Sequence, residues 1–532
     1  MSSKSAPVFH REGVAWAALL VLALSAAYWW WAIGRPVSLP DAPSARIACV
    51  SYAPFRQAGE SPLDPSAFVS PARIDADLHA LSQRFDCVRT YSQGQGLSAV
   101  PQFAGRDGMQ VLLGIWLGHD PKANAEQIRL GIATARKYPK VVRAVIVGNE
   151  VLLRGDLSPA QLAANLAQVR AAVPEPVTYA DVWEFWLQHP ELADSVDYLT
   201  IHILPYWEDQ PVAPERAVQH VAAVYARVQQ AFPGKRVMIG ETGWPSAGRS
   251  RQAASASVVN EARYLREFLR YAAVAKLPYN VIEAFDQPWK RAQEGTAGGY
   301  WGIFDAQTRA KFPMQGPVVE EPHWWLGWLA AGVGGVLFVL VGGWRRHRHG
   351  WRDAVALGLA GVASGGALAW QFRQMWFACR NPWEWAVSLA ACVLALFTAV
   401  RLARWMAARL SGVTRAFVPG WLRFGWLFAL TYYGLLLVFD GRYRDFPLGL
   451  FLLPCVGYVL AGGLTDPCKR ARPRLEQIFL AAWLPLLGVI VLVQEAGLNP
   501  IAWLWLGLNL LLAASVLLDW RVARIRLQAQ QP

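Results

Sequence analysis

The chain has 532 residues, 54% of them hydrophobic, with 27 tryptophans and a formal net charge of +13. That is too apolar for an ordinary soluble enzyme and long enough for several compact units, so part of it belongs in lipid. The charge does not mark a nucleic-acid binder: residues 34–323 hold 29 of the 51 Lys and Arg and 29 of the 38 Asp and Glu, which leaves the whole excess in the apolar remainder.

The first predicted element is Gly13–Ile33, which has no charged side chain and is about long enough to cross a bilayer at ~1.5 Å per residue. It ends in Tyr28-Trp29-Trp30-Trp31, an interfacial belt, so it reads as an uncleaved anchor rather than a signal peptide. Nothing comparable follows until Trp324, after which apolar runs recur at 324–343, 353–371, 385–400, 424–439, 446–464, 478–493 and 501–518. If these eight spans alternate, Lys4, Arg11, Arg345, Arg346, Arg348, Arg352, Arg401, Arg404, Arg409, Arg415, Arg423, Lys469, Arg470, Arg472, Arg474, Arg521, Arg524 and Arg526 share one side. The other side's short loops hold only Arg373, Arg380, Arg442 and Arg444. Cationic loops stay in the cytoplasm. The expectation is therefore a multi-pass protein of a bacterial inner membrane, with both termini cytoplasmic and residues 34–323 periplasmic. Its predicted parts are 1–33 (N-terminus and anchor), 34–45 (a Pro-rich linker), 46–315 (a folded domain), 316–520 (seven membrane helices) and 521–532 (a cytoplasmic tail).

Within the outward domain, β-rich apolar runs alternate with amphipathic stretches. Strands are predicted at Arg46–Ala53, Cys87–Tyr91, Gln110–Trp116, Val141–Gly148, Val177–Asp181, Tyr198–Leu204, Val237–Gly240 and Asn280–Phe285. Helices are predicted at Asp75–Phe85, Ala123–Tyr138, Pro159–Val173, Pro214–Phe232 and Val258–Val274. Eight strand–helix units read as a closed (β/α)8 barrel of the α/β class, because an open sheet would leave edges to protect; the rest is all-α and polytopic. Two strands run into a carboxylate and stop: Val147-Gly148-Asn149-Glu150 and Ile239-Gly240-Glu241-Thr242-Gly243-Trp244-Pro245. Two carboxylates at the mouth of a barrel are the minimum apparatus for cleaving a glycosidic bond. A second Asn-Glu pair, Asn260-Glu261, sits in a helical charge pattern with Arg263, Arg266 and Glu267, and is expected on a solvated face.

These peptides resemble glycoside hydrolase family 17, the 1,3-β-glucanase family: Asn149-Glu150 resembles its acid/base motif and Gly240–Ser246 its nucleophile motif. Val88-Arg89-Thr90-Tyr91, His202–Trp207 and Glu283–Lys290 are similar to further family peptides. The strand-eight peptide and the multi-span C-terminus are similar to the family's bacterial membrane-bound branch, associated with periplasmic β-glucan remodelling, some members as transglycosylases. The resemblance implies a retaining enzyme with Glu150 as acid/base and Glu241 as nucleophile. Asn149 is then expected on the sugar 2-hydroxyl, and Tyr206 or Arg89 holding Glu241 ionised.

Indole faces stack on sugar rings, and of Trp116, Trp183, Trp186, Trp207, Trp244, Trp289 and Trp301 about half are expected to line the cleft, with Trp207 and Trp289 foremost and Trp244 a further sugar contact. Glu283, Asp286 and Lys290 are expected on sugar hydroxyls, or Glu283 as a buried partner of Arg89, and His202 as a packed strand residue. No cluster has metal spacing and no Gly-rich loop fits a phosphate, so neither metal nor cofactor is expected. Of the six cysteines, Cys379, Cys392, Cys455 and Cys468 lie in or beside spans, while Cys49 and Cys87 face outward. These two are expected as buried thiols, with a disulfide the alternative. Expected partners are a β-glucan, the bilayer and, as the candidate protein partner, a membrane glucan synthase. Two other readings stay open: an accessory that branches glucan through 1,3 or 1,6 linkages, and a polysaccharide exporter whose barrel only binds. Charges at the span ends argue against transport by residues 324–520, so the membrane part is expected to be an anchor, with a passive glucan channel or a docking platform for a synthase as the alternatives.

Overall fold

The computed structural model describes residues 6–57, 59–342, 350–411, 413, 420–465 and 472–529. Lys4, Arg345, Arg346, Arg348, Arg415, Lys469, Arg470 and Cys468 lie outside the described residues. The chain divides into two compact units, Val37–Gly248 with Ala253–Val318, and Met1–Pro36 with Arg249–Gln252 and Val319–Pro532.

The first is the barrel. Strands β1 (Val50–Ser51), β2 (Cys87–Arg89), β3 (Gln110–Ile115), β4 (Val142–Asn149), β5 (Val177–Val182), β6 (Leu199–His202) and β7 (Val237–Glu241) form one parallel sheet in sequence order. The eighth segment is too irregular for a strand but closes the ring. Val281 bridges to Val50 and Tyr279 to Ile239, and the Ser51 and Asn280 amides donate to Val281 O and Ile239 O, each at 2.9 Å.

These strands are apolar on both faces because each serves two cores. Leu112, Ala144, Ile146, Ala180 and Met238 cluster inside the barrel. Their neighbours Val111, Leu113, Val145, Val147 and Ile239 join the larger core outside it. Alternate residues point to opposite faces, so one Val/Ile-rich run fills both. The helices start where the chain offers a capping oxygen followed by proline: Ser70 before Pro71–Ser82, Asp120 before Pro121–Lys137, and Ser158 before Pro159–Arg170.

Two expectations are corrected. Cys49 and Cys87 form a disulfide, because pairing of Val50 with Val88 sets the two cysteines side by side, Cα atoms 4.3 Å apart, inside the barrel. Glu261 is buried rather than solvated. It lies on helix Val258–Ala275 and pairs with Lys311 at 2.9 Å, and Arg266 of the same helix is also buried.

In the helical unit, six helices among the described residues are long and apolar enough to cross a membrane: Gly13–Ile33, Trp351–Ala378, Pro382–Leu410, Gly420–Phe439, Leu475–Gln494 and Pro500–Arg526. Trp325–Val341 and Leu448–Leu464 are apolar but shorter. Several helices outrun the predicted spans, and the last continues to Ala529 through the expected tail, because Arg and Asp end an apolar run without ending a helix. Gly334 and Gly361 let Trp325–Val341 and Trp351–Ala378 approach closely, since a Cβ on either would strike the other's backbone.

Candidate active site

Strand β4 carries the first carboxylate through a sharp bend. Gly148 has φ +83° and Glu150 φ +52°, a conformation natural to glycine and strained for glutamate. The turn beyond is held by β5. The Leu152 amide donates to Tyr179 Oη at 3.0 Å and to Asp181 Oδ2 at 3.3 Å, and Tyr179 donates to that same oxygen. Burial, with the Glu150 charge adding to it, pushes Asp181 up to about 6.

The second carboxylate ends β7. One ligand oxygen each of Glu150 and Glu241 and a ring nitrogen of His202 lie within 4.8 Å of one another. His202 Nδ1 is 3.0 Å from Glu150 Oε1, and Nε2 is 3.7 Å from Glu241 Oε1. The Glu150 side chain is 24% exposed and that of Glu241 6%, so solvent reaches the first far more than the second.

Glu241 is enclosed by donors. Arg89 Nη1 donates to its Oε1 at 2.9 Å and to Gly240 O at 2.8 Å, and the Tyr91 hydroxyl donates to Oε1 at 2.8 Å. Burial by itself would raise this carboxyl, but His202, Arg89, the Tyr91 hydrogen bond and Lys290 outweigh it and hold Glu241 below the ordinary carboxylate range. Arg89 Nη2 also donates to Asn149 Oδ1 at 2.5 Å. A guanidinium can only donate, so this bond fixes the Asn149 amide and leaves its NH2 as the free donor.

Around this centre Glu283 takes both its hydrogen bonds from Lys290 Nζ, at 3.0 and 2.9 Å, so its partner is Lys290 and not Arg89. Burial pushes Glu283 up to about 7 against that pairing. Glu294 is pushed up to about 7 by burial, against the pull of Lys290. Asp286 accepts from Lys311 and from the Gly302 amide, each at 3.0 Å, which makes it a latch between barrel segments.

The aromatic residues separate by burial. Trp116, Trp207 and Trp289 keep exposed surface, whereas Trp183, Trp186, Trp244 and Trp301 are buried. Trp244 is thereby corrected as a sugar contact: it is 1% exposed, its Nε1 donates to Ser255 O, and Tyr206 packs against it at 5.6 Å. Tyr206 lies in that same aromatic cluster, and the Tyr91 phenol donates to Glu241.

Sequence reasoning missed Tyr91, although it stands two residues after Arg89, just beyond the end of β2. It also missed Ser51 and Asn280, which back Tyr91 up: Ser51 Oγ is 2.9 Å from the Tyr91 hydroxyl and accepts from Asn280 Nδ2 at 2.9 Å. His202 reads in the sequence as a packed strand residue, and its place between the carboxylates has no local signal. Glu150, His202 and Glu241 are a group of the kind that binds metals. The Arg89 guanidinium 2.9 Å from Glu241 opposes a cation there.

The barrel residues are similar to known proteins. The family described as the BtgE/BtgC glycoside hydrolase domain matches residues 49–302. A glucan 1,3-β-glucosidase of Arthroderma benhamiae is 27% identical over 264 residues, 45% of this chain and 83% of that protein. One from Saccharomyces cerevisiae is 23% identical over 272 residues, 46% of this chain and 85% of that protein. An active-site mutant of Rhizomucor miehei β-1,3-glucanosyltransferase, in complex with laminaritriose, is 26% identical, with a TM-score of 0.45 over 52% of this chain and 98% of its own. Residues 49–302 are thus a glycoside hydrolase domain of family 17.

Proposed function

We propose that the barrel cleaves β-1,3-glucan with retention and passes the glycosyl group to water or to a second glucan. The observation that carries this reading is the spacing of Glu150 and Glu241, whose carboxylate oxygens approach within 4.8 Å. Retaining enzymes keep their two carboxyl groups about 5–5.5 Å apart, too close for an intervening water. The glucan 1,3-β-glucosidases at 23–27% identity support the choice of substrate.

In the first step a Glu241 oxygen attacks the anomeric carbon, the glycosidic C–O bond breaks, and Glu150 gives its proton to the leaving oxygen. In the second, an acceptor hydroxyl attacks the same carbon and yields its proton to Glu150 as the ester bond to Glu241 breaks. Arg89 and Tyr91 keep Glu241 ionised for the attack, and the Asn149 NH2 donates to the sugar 2-hydroxyl. Trp207 and Trp289 supply ring platforms, and Lys290, held by the buried Glu283, bonds a sugar hydroxyl. Transfer competes with hydrolysis where an acceptor sits on the aromatic platforms before water arrives. Laminari-oligosaccharides incubated with the full chain are expected to yield products both longer and shorter than the substrate. Mass spectrometry showing only shortened products at high acceptor concentration would leave a plain glucanase.

The proposal extends to location. The apolar helices and the one-sided basic loops support a bacterial inner-membrane protein with both termini cytoplasmic and the barrel in the periplasm, where it remodels newly made glucan beside a synthase. Reporter fusions after Gln315 and after Arg352 are expected to register on opposite sides of the membrane. A cytoplasmic signal at both positions contradicts the arrangement.

A further inference from the structure

The helical unit holds a cavity of about 70 Å3 where Trp351–Ala378 passes into Pro382–Leu410 and Gly420–Phe439 into Leu448–Leu464. One water needs roughly 10–15 Å3, so the cavity has room for several. Its wall is unlike a helix interface. Glu384 Oε1 is shared by Arg380 Nη2 at 2.8 Å and Arg444 Nη1 at 2.6 Å, and Arg444 Nε reaches Asp440 at 2.6 Å. The wall holds Arg380 and Arg444 with Glu384 and Asp445, and Asp440 pairs with Arg444 from outside it, so no net positive charge is left over for a phosphate.

The remaining groups suit a polyol. Gln374 donates to Phe446 O at 2.6 Å, while its Oε1 is buried without a hydrogen-bond partner, an acceptor suited to a hydroxyl donor. Tyr432 and Tyr433 stand edge to face at 5.5 Å in the same wall, offering a ring face and two phenols. Carboxylates, guanidiniums and an amide that each bond neighbouring hydroxyls, beside an aromatic face, recognise a neutral pyranose.

We propose that this cavity binds one neutral hexopyranose residue, either the end of a glucan chain or the headgroup of a glycolipid. The choice of glucose as that residue rests on the function proposed for the barrel; the cavity chemistry does not. Under the proposed topology this is the outward end of the helices, so the site would retain a chain end at the membrane surface.

The test is hydrogen–deuterium exchange of the full chain carrying Glu241→Gln, in phosphatidylcholine nanodiscs. One arm adds laminaripentaose, a second puts glucosyl-diacylglycerol in the disc, and a third adds phosphatidylglycerol. At ligand about ten times its Kd, exchange at residues 440–447 is expected to slow about tenfold in a glycosyl arm. The arm that responds identifies the source. Tyr432→Ala or Gln374→Leu should abolish this slowing while leaving ligand-free exchange unchanged. The barrel loop 204–213 reports separately. Slowing there with none at 440–447 overturns the cavity site and spares the barrel reading, whereas slowing at 440–447 alone supports the cavity and counts against glucan binding by the barrel. Slowing at neither loop overturns both. A response to phosphatidylglycerol alone also overturns the proposal, in favour of an anionic lipid site.

Discussion

Glu241→Gln is expected to lower turnover of laminari-oligosaccharides by roughly 10^4-fold or more, because the amide keeps the shape of the side chain and removes the nucleophile. Arg89, Tyr91 and Asn149 would still be held by their other partners, since Arg89 also bonds Gly240 O and Tyr91 sits beside Ser51, so loss by unfolding is not expected. Glu150→Ala should fail differently. A dinitrophenyl glucan donor leaves without a proton, so this variant should still form the ester at Glu241 and stall at its discharge. Azide, which needs no general base, should then release a β-glycosyl azide with retained configuration. Absence of azide rescue in Glu150→Ala, or activity of Glu241→Gln within tenfold of the parent, would remove these two residues from their roles.

Arg89→Gln is the second large effect, expected at about 10^2- to 10^3-fold in kcat/KM. The guanidinium lies 2.9 Å from Glu241 and is itself 1% exposed, so its charge acts with little screening by water. It is one of the causes that hold Glu241 below the ordinary carboxylate range against the effect of burial. The chemistry needs Glu241 ionised, so activity falls as pH drops through the folded-state pKa of this carboxyl. Removing Arg89 raises that pKa, and the acid limb of the pH profile should move to higher pH. Tyr91→Phe should shift it the same way by less, since only one neutral hydrogen bond is lost. An acid limb that stays put while kcat falls would make Arg89 a packing residue. The sign for stability follows likewise: a depressed carboxyl contributes stability above the unfolded value of about 4.3, lost as pH falls through the folded value.

The barrel, the strand ends that carry Glu150 and Glu241, and the apolar helices were legible in the sequence. Each of these is written in a local pattern: a Val/Ile-rich run broken by glycine or proline, a Ser-Pro or Asp-Pro helix start, or a charge-free stretch of bilayer length. What local pattern does not encode is which residues meet across the ring. The Cys49–Cys87 disulfide follows from the register of two parallel strands. The Asn280–Ser51–Tyr91–Glu241 chain joins the irregular eighth segment to β1, β2 and β7. Glu261 reads as a surface residue in its own helix and becomes buried because Lys311, fifty residues on, supplies the opposing charge. Trp244 stands beside the nucleophile in sequence, yet Tyr206 from the turn after β6 and Tyr264 from helix Val258–Ala275 enclose it. In this chain the sequence by itself determined the elements and the two carboxylates, since both depend on neighbours along the backbone. Tertiary structure decided ionisation, pairing and exposure, because electrostatics and burial act through space between residues the chain keeps far apart.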